Sequence, residues 1–242
     1  MKQFLAFAGA VWLATTLAVM AQTNAAPETP APAPASHKPI IFHAPSDASN
    51  GIMPIRVGGG SRGDKEGAPR LQLLVPDGKG ITTQAEPSLY FYLSKPAETF
   101  CEITVTEPKH SKPLFAQKTP VLKQSGILAI RMAKYGVEFK PGVTYRWSVA
   151  VVMDPEKRSG DIIVTGVIQR VEASPELKAD LAKASDADKA AVYAEHGIFY
   201  DALQTISEQL AKSPHEQTLL DQRATLLKQV GIDAGSLGDA AK

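Results

Sequence analysis

The chain has 242 residues, 44% of them apolar, with 26 Lys and Arg against 25 Asp and Glu for a formal charge of +1, and a single cysteine. That apolar content is enough for a real core, one cysteine excludes an intrachain disulfide staple, and nothing in the residues points to nucleic-acid recognition. The near-neutral total hides an asymmetry: residues 51–171 hold 17 Lys and Arg against 11 Asp and Glu, and residues 172–242 hold 7 against 12. The basic residues are spread over several segments. Solvated surfaces, or regions that complement each other, therefore explain the asymmetry better than a basic face for an acidic partner or an envelope glycan.

Met1-Lys2-Gln3 places a positive charge ahead of an uncharged, mostly apolar run from Phe4 to Met20, and Val19-Met20-Ala21 ends it in a form suited to processing. This pattern predicts a secretory signal peptide over 1–21. The run falls just short of the roughly 20 residues a bilayer needs, and an uncleaved anchor is the rival reading. No Cys ends it, which sets lipoprotein processing aside. Export removes ATP, NAD(P)H and most cytosolic chemistry. The expected location is the periplasm or cell envelope, with membrane contact only through an uncleaved signal segment.

Residues 22–53 read as a Pro/Ala-rich linker. Pro30, Pro32 and Pro34 alternate with Ala, favouring extended polyproline-type chain at about 3 Å per residue. Ile40-Ile41-Phe42 is a small apolar patch within it that has the character of a docking element.

From Arg70 to Glu172, within a predicted β domain over 54–172, the pattern has period two. Leu71/Leu73/Val75, Leu89/Phe91/Leu93, Cys101/Ile103/Val105, Leu128/Ile130/Met132, Tyr145/Trp147/Val149/Val151 and Ile163/Val167 each mark one face of a strand. Turn clusters such as Pro76-Asp77-Gly78, Lys95-Pro96, Lys140-Pro141-Gly142 and Asp154-Pro155 punctuate them. About seven or eight short strands with frequent turns predict an antiparallel sandwich behind a Gly-rich opening segment. The stretch Lys140–Trp147 resembles the start of a strand in an immunoglobulin- or fibronectin-III-like fold, in which a Tyr hydroxyl caps a corner loop. Tyr145 and Trp147 are then structural. Cys101 shares the apolar face with Ile103 and Val105, so a buried inert thiol is expected ahead of an intermolecular disulfide.

From 173 to 232 the period becomes helical. Ser174-Pro175 reads as an N-cap with Pro at the first helical position, followed by Leu177 and Leu181 on one face. Ser185-Asp186-Ala187-Asp188 starts a second helix that stops at Gly197, and Phe199, Ala202, Leu203, Ile206 and Leu210 stripe a third. Ser213-Pro214-His215-Glu216 has the form of a capping box for a fourth, closed by Gly231. Gly197, Tyr200, Ala202, Leu203 and Pro214 follow the spacing of a tetratricopeptide helical hairpin. A solenoid needs about three such units to bury its faces, so a lone hairpin must pack on the sandwich or on a partner. The tail 233–242 is Gly/Ala-rich and expected to be disordered.

Candidate chemistry is sparse. Gly58-Gly59-Gly60-Ser61-Arg62-Gly63-Asp64-Lys65 is not a phosphate loop, because Asp64 and Lys65 stand where such a loop needs Lys and Ser or Thr. Its glycines permit unusual backbone angles, and Arg62 has the reach to meet a carboxylate or phosphate. Asp154, Glu156 and Asp161 are interrupted by Lys157 and Arg158, as in a solvated hairpin loop and unlike an EF-hand. His37, His43, His110, His196 and His215 include no pair with zinc-ligand spacing; His196 closes a helix, where capping suffices. No nucleophile elbow is present. No catalytic, cofactor-binding or metal-binding residues are assigned.

Three ordered stretches carry a family resemblance. They are Val57-Gly58-Gly59-Gly60-Ser61-Arg62-Gly63; Tyr145-Arg146-Trp147 leading to Asp154-Pro155, Ser159-Gly160-Asp161 and Ile168-Gln169-Arg170-Val171; and the segment Tyr193–Leu203. Together they resemble the exported bacterial family known only as domain of unknown function 928, over about residues 54 to 232. The resemblance brings no activity, substrate or catalytic residue. It implies cysteines just after the Gly-Arg-Gly stretch and just before the Asp-Pro in relatives. This chain has Asp64-Lys65 and Met153 there, so if those cysteines pair in relatives the bridge is missing here. The expected function is a non-enzymatic envelope module that binds or scaffolds another envelope protein. Gly59, Gly60 and Arg62, and the surface around Tyr200 and Asp201, are the expected contacts. The alternatives are an envelope glycan- or peptide-acting hydrolase with dispersed carboxylates, and a small-ligand or ion carrier.

Overall fold

Leu89, Phe91 and Leu93 alternate with Tyr90 and Tyr92 along one six-residue strand, and both sets are buried. A strand with two apolar faces needs a layer on each side, and this requirement organises the molecule. The structure is a computed structural model that describes residues 37–46, 54–58, 68–97, 99–107, 110–233, 235 and 237. The predicted signal peptide, most of the predicted linker, Gly59, Gly60 and Arg62 lie outside the described residues, as does most of the predicted tail.

Among the described residues nine strands precede four helices. The strands are β1 (Val57–Gly58), β2 (Leu71–Leu73), β3 (Lys79–Thr82), β4 (Ser88–Leu93), β5 (Cys101–Thr106), β6 (Phe115–Lys118), β7 (Gly126–Arg131), β8 (Thr144–Val151) and β9 (Ile162–Arg170). The helices are α1 (Pro175–Lys183), α2 (Lys189–Glu195), α3 (Phe199–Lys212) and α4 (Gln217–Gln229). One sheet has the order β1-β2-β4-β7 and the other β3-β9-β8-β5-β6. The ladders are antiparallel except that β3 runs parallel to β9, with Gly80 opposite Ile168. The all-antiparallel expectation is corrected at that edge.

The two sheets share one core. Leu71, Leu89, Phe91, Leu93 and Ile130 from the first meet Cys101, Ile103, Val105, Tyr145, Trp147 and Val149 from the second. The opposite face of β4 belongs to a second core, in which Tyr90, Tyr92 and the adjacent Leu74 join Phe199, Leu203, Ile206 and Leu226. Each such side chain contributes roughly 1.5–3 kcal/mol by leaving water. The described residues from His37 onward fall in one compact unit. The helices are therefore a layer of the fold and not an appendage.

Several local expectations are realised. The Ser174 side chain accepts a hydrogen bond from the Leu177 amide at 3.1 Å. The Tyr145 hydroxyl accepts one from the Lys140 amide at 3.0 Å, tying down the corner before β8. Cys101 is fully buried. Others change. Ile163 is 50% exposed, and Ile162, Val164 and Ile168 supply the core face of β9. The run Ile162-Ile163-Val164 is apolar on both parities, so only the pairing of Val164 with Val149 and Ile162 with Val151 sets its phase. The capping box at Ser213 does not form. The Glu216 amide it would hold donates to the Ser213 carbonyl at 3.1 Å, and α4 begins one residue later. Finally, His37–Ser46, within the predicted linker, lies against the helices.

Candidate interaction site

Tyr200 and Asp201 open α3. They were expected near a contact surface, but they are 1% and 2% exposed, so neither side chain is available to a partner. Asp201 is turned into the end of β3. Thr83 donates its amide to Oδ2 at 3.0 Å, and the Thr82 and Thr83 hydroxyls donate to Oδ1 and Oδ2. Burial pushes the Asp201 carboxyl above the usual carboxylate range, against the lowering effect of those donors. Tyr200 accepts a hydrogen bond from Trp147 Nε1 at 2.9 Å and donates to the Val167 carbonyl at 3.3 Å. Burial raises its phenol in turn. Gly80 makes room for the ring: a Cβ there would lie 2.5 Å from Tyr200 Cε2. The correction has a simple cause. The stripe Phe199, Ala202, Leu203, Ile206 and Leu210 faces the helical core, while Tyr200 enters the inter-sheet core. The first turn of α3 is covered from two sides.

These groups do structural work. Asp201 is saturated with donors and shut from solvent, so it clamps α3 to β3 and has no path for proton exchange with a substrate. Burial pushes the Cys101 thiol up to about 12, which leaves no thiolate for nucleophilic attack near neutral pH. In the loop after β8, Arg158 pairs with Asp161 at 2.6 Å and Glu102 at 2.7 Å, and hydrogen bonding from Arg158 lowers the Glu102 carboxyl. The Met153 amide donates to Asp161 at 3.3 Å. His196 closes α2 and its Nε2 lies 3.0 Å from Asp180 of α1. Among the described residues no three His, Cys, Asp or Glu side chains gather to hold a metal.

The open surface lies elsewhere. β7 ends one sheet and β6 ends the other. Beside them is a cleft of about 410 Å³ lined by Phe91, Ile103, Leu122, Leu128 and Ile130, with Arg131, Lys134 and Tyr135 also in its wall. Leu114, Val121 and Tyr135 are large apolar residues left 44–46% exposed in the segments that flank β6 and β7. Each lies outside the strand alternations read from the sequence. A second cleft of about 500 Å³ is lined by Pro69, Lys95, Pro96, Thr99 and Met153. Among the described residues, neither cleft has a His, Cys, Asp or Glu in its lining.

A family model described as Domain of Unknown Function (DUF928) matches residues 57–238, most of the chain. This protein belongs to that family. The DUF928 match runs from β1 past the end of α4, so it takes in both sheets and all four helices. That extent agrees with the shared cores, in which helices and sheets complete one another. The segment His37–Ser46 precedes the DUF928 match. No curated protein matches the chain.

Proposed function

We propose that this DUF928 protein is an exported, envelope-associated, non-enzymatic module that binds or scaffolds another envelope protein. The observation that carries this reading is the cleft where β6 and β7 end their sheets. Among the described residues β7 has a neighbouring strand on one side only, and an edge strand is a ready template for an added strand. The partner that fits is an extended apolar segment bearing carboxylates, with its side chains against Leu114, Val121 and Tyr135 and its acidic groups near Arg131 and Lys134.

We read the β region as immunoglobulin-like. In its favour are the strand orders, with the parallel β3 beside the last strand, and the Tyr145 hydroxyl on the upstream Lys140 amide. We read α2 and α3 as a tetratricopeptide-like hairpin. In its favour is the left-handed Gly197 between them (φ 73°) with α4 packed behind. No helix among the described residues is long and apolar enough to cross a membrane.

A photocrosslinking residue in place of Val121, with another in place of the exposed Lys178 as control, tests the binding reading in the native envelope. A discrete adduct from position 121, absent from position 178 and lost when Tyr135→Glu is added, is the expected result. Identical adduct patterns from the two positions would overturn it.

A further inference from the structure

The strap His37–Ser46 lies across the helical layer in the manner of a bound peptide. Asp188 Oδ1 accepts the Lys38 amide at 2.9 Å. Gln229 reads the strap twice: its Oε1 accepts the Phe42 amide at 2.7 Å, and its Nε2 donates to the Ile40 carbonyl at 3.0 Å. Gln222 Nε2 approaches the Lys38 carbonyl at 3.4 Å, and the His43 amide donates to the Ala194 carbonyl at 3.2 Å. Five main-chain groups of the strap are thus matched by α2, α4 and the side chain at the start of α2, an arrangement that accepts an extended backbone of any sequence.

Side chains then supply selectivity. Ile40 is buried in the helical core, Phe42 sets its ring edge-on to Phe199 at 5.5 Å, and Lys38 pairs with Glu195 at 2.7 Å. The floor of the groove is shaped for the strap, since a Cβ on Gly197 would lie 2.7 Å from the His43 carbonyl oxygen. His37, Phe42 and Pro45 are half-buried and the remaining strap residues are exposed, Ile41 at 48%. Ile40 is the one strap residue that is buried.

Two further observations separate strap from groove. The family match begins at Val57, after the strap, whereas every groove residue named here lies inside it. The strap is joined to Pro54 by seven residues, 47–53, which span at most about 28 Å when extended. A segment held mainly by main-chain hydrogen bonds, with one buried anchor and a short connection, is one that a second copy can donate with the same contacts.

We infer that the groove across α2, α3 and α4 is a peptide-binding site for an extended cation-Pro-aliphatic-x-aromatic segment, and that its occupant in assembly is the strap of a second copy of this chain. The exchange gives a protein-binding module a route to self-association. It does not depend on the β6–β7 cleft, and the variants below leave that cleft untouched.

The test uses full-length chains and a fluorescent peptide of residues 37–46. In Ile40→Asp/Phe42→Ala the chain's own strap loses its anchors and its groove is vacated. The peptide binds this variant saturably and binds the unaltered chain at least tenfold more weakly, because a tethered strap competes at an effective concentration of about 1 mM. Adding Gln229→Ala lowers the variant's affinity at least fivefold. Mixing the strap variant with a chain that carries only Gln229→Ala/Glu195→Lys yields a 1:1 heterodimer by size exclusion with light scattering, since one chain offers a groove and the other a strap. Phe42→Ala alone serves as the strap variant if the double change perturbs the circular dichroism spectrum. Absence of peptide binding to a folded strap variant overturns the groove. Peptide binding without the heterodimer overturns the second copy as occupant.

Discussion

Removing the Asp201 carboxylate is the sharpest perturbation of the join between sheets and helices. In Asp201→Ala, the Thr82 hydroxyl, the Thr83 amide and the Thr83 hydroxyl all lose their acceptor. Thr82 is fully buried, and the Thr83 amide cannot turn to find another partner. An unsatisfied buried donor costs about 1–3 kcal/mol, and relief from burying the carboxylate returns part of it. A net loss of about 2–4 kcal/mol is expected, a large share of the roughly 5–15 kcal/mol available to a domain. Urea titration followed by fluorescence reads it directly, because Trp147 donates to Tyr200, the neighbour of Asp201. One transition at a lower midpoint is expected, since helices and sheets share a core. A loss under about 1 kcal/mol, or separate unfolding of the helices, would refute the clamp. The pH dependence supplies a second check. The folded carboxyl is raised above its unfolded value, so between the two the folded state holds more protons than the unfolded one. Its contribution is therefore most favourable below the unfolded pKa of about 3.9 and is lost as pH rises toward the folded value. Asp201→Asn keeps an acceptor for the Thr83 amide without the charge. It costs less than Asp201→Ala at neutral pH and flattens this part of the stability profile.

Three further outcomes follow from the geometry. Gly80→Ala drives a methyl into the Tyr200 ring, which the Trp147 hydrogen bond holds in place; overpacking of this kind costs about 1–3 kcal/mol, measured as a lowered midpoint in thermal or urea unfolding. Tyr145→Phe removes the acceptor of the Lys140 amide and lowers stability by about 0.5–1.5 kcal/mol with the sheets intact by circular dichroism. The Cys101 thiol, buried and raised to about 12, reacts with iodoacetamide at pH 8 only as fast as the protein opens; labelling of the native chain at the rate of a free thiol would contradict its placement.

The partition between what was legible and what was not follows interaction range. Alternation along Leu89/Phe91/Leu93, Cys101/Ile103/Val105 and Tyr145–Val151 marked strands because a strand's two faces repeat within the sequence itself. Ser174-Pro175, Gly197 and Gly231 marked helix ends because capping is a local backbone matter. The Tyr145 corner spans only five residues and was equally readable.

Coverage by distant elements was legible only in part: the burial of Cys101 and the packing of the helices on the sheets follow the sequence reading, while other faces do not. Tyr90 and Tyr92 lie on the face of β4 that the Leu89/Phe91/Leu93 alternation leaves unassigned, and the helical layer covers them. Ile163 reads as core, yet pairing with β8 turns it outward. Tyr200 and Asp201 look like surface residues of a hairpin, yet Trp147, Thr82 and Thr83, 53 to 119 positions away, enclose them. The strap reads as spacer with a docking patch at Ile40-Ile41-Phe42; where it docks is illegible because Lys38, Ile40 and Phe42 find their partners more than 150 residues later. By itself the sequence determined six of the nine described strands (β2, β4, β5, β7, β8 and β9), most helix ends and the change from strands to helices, all of which depend on neighbours in the chain, whereas the short strands β1, β3 and β6 carry no alternation of their own. Only the tertiary structure decided which faces are buried, which carboxylate is clamped and which segment fills the groove, because those free energies arise from desolvation and hydrogen bonding between residues that adjacency never brings together.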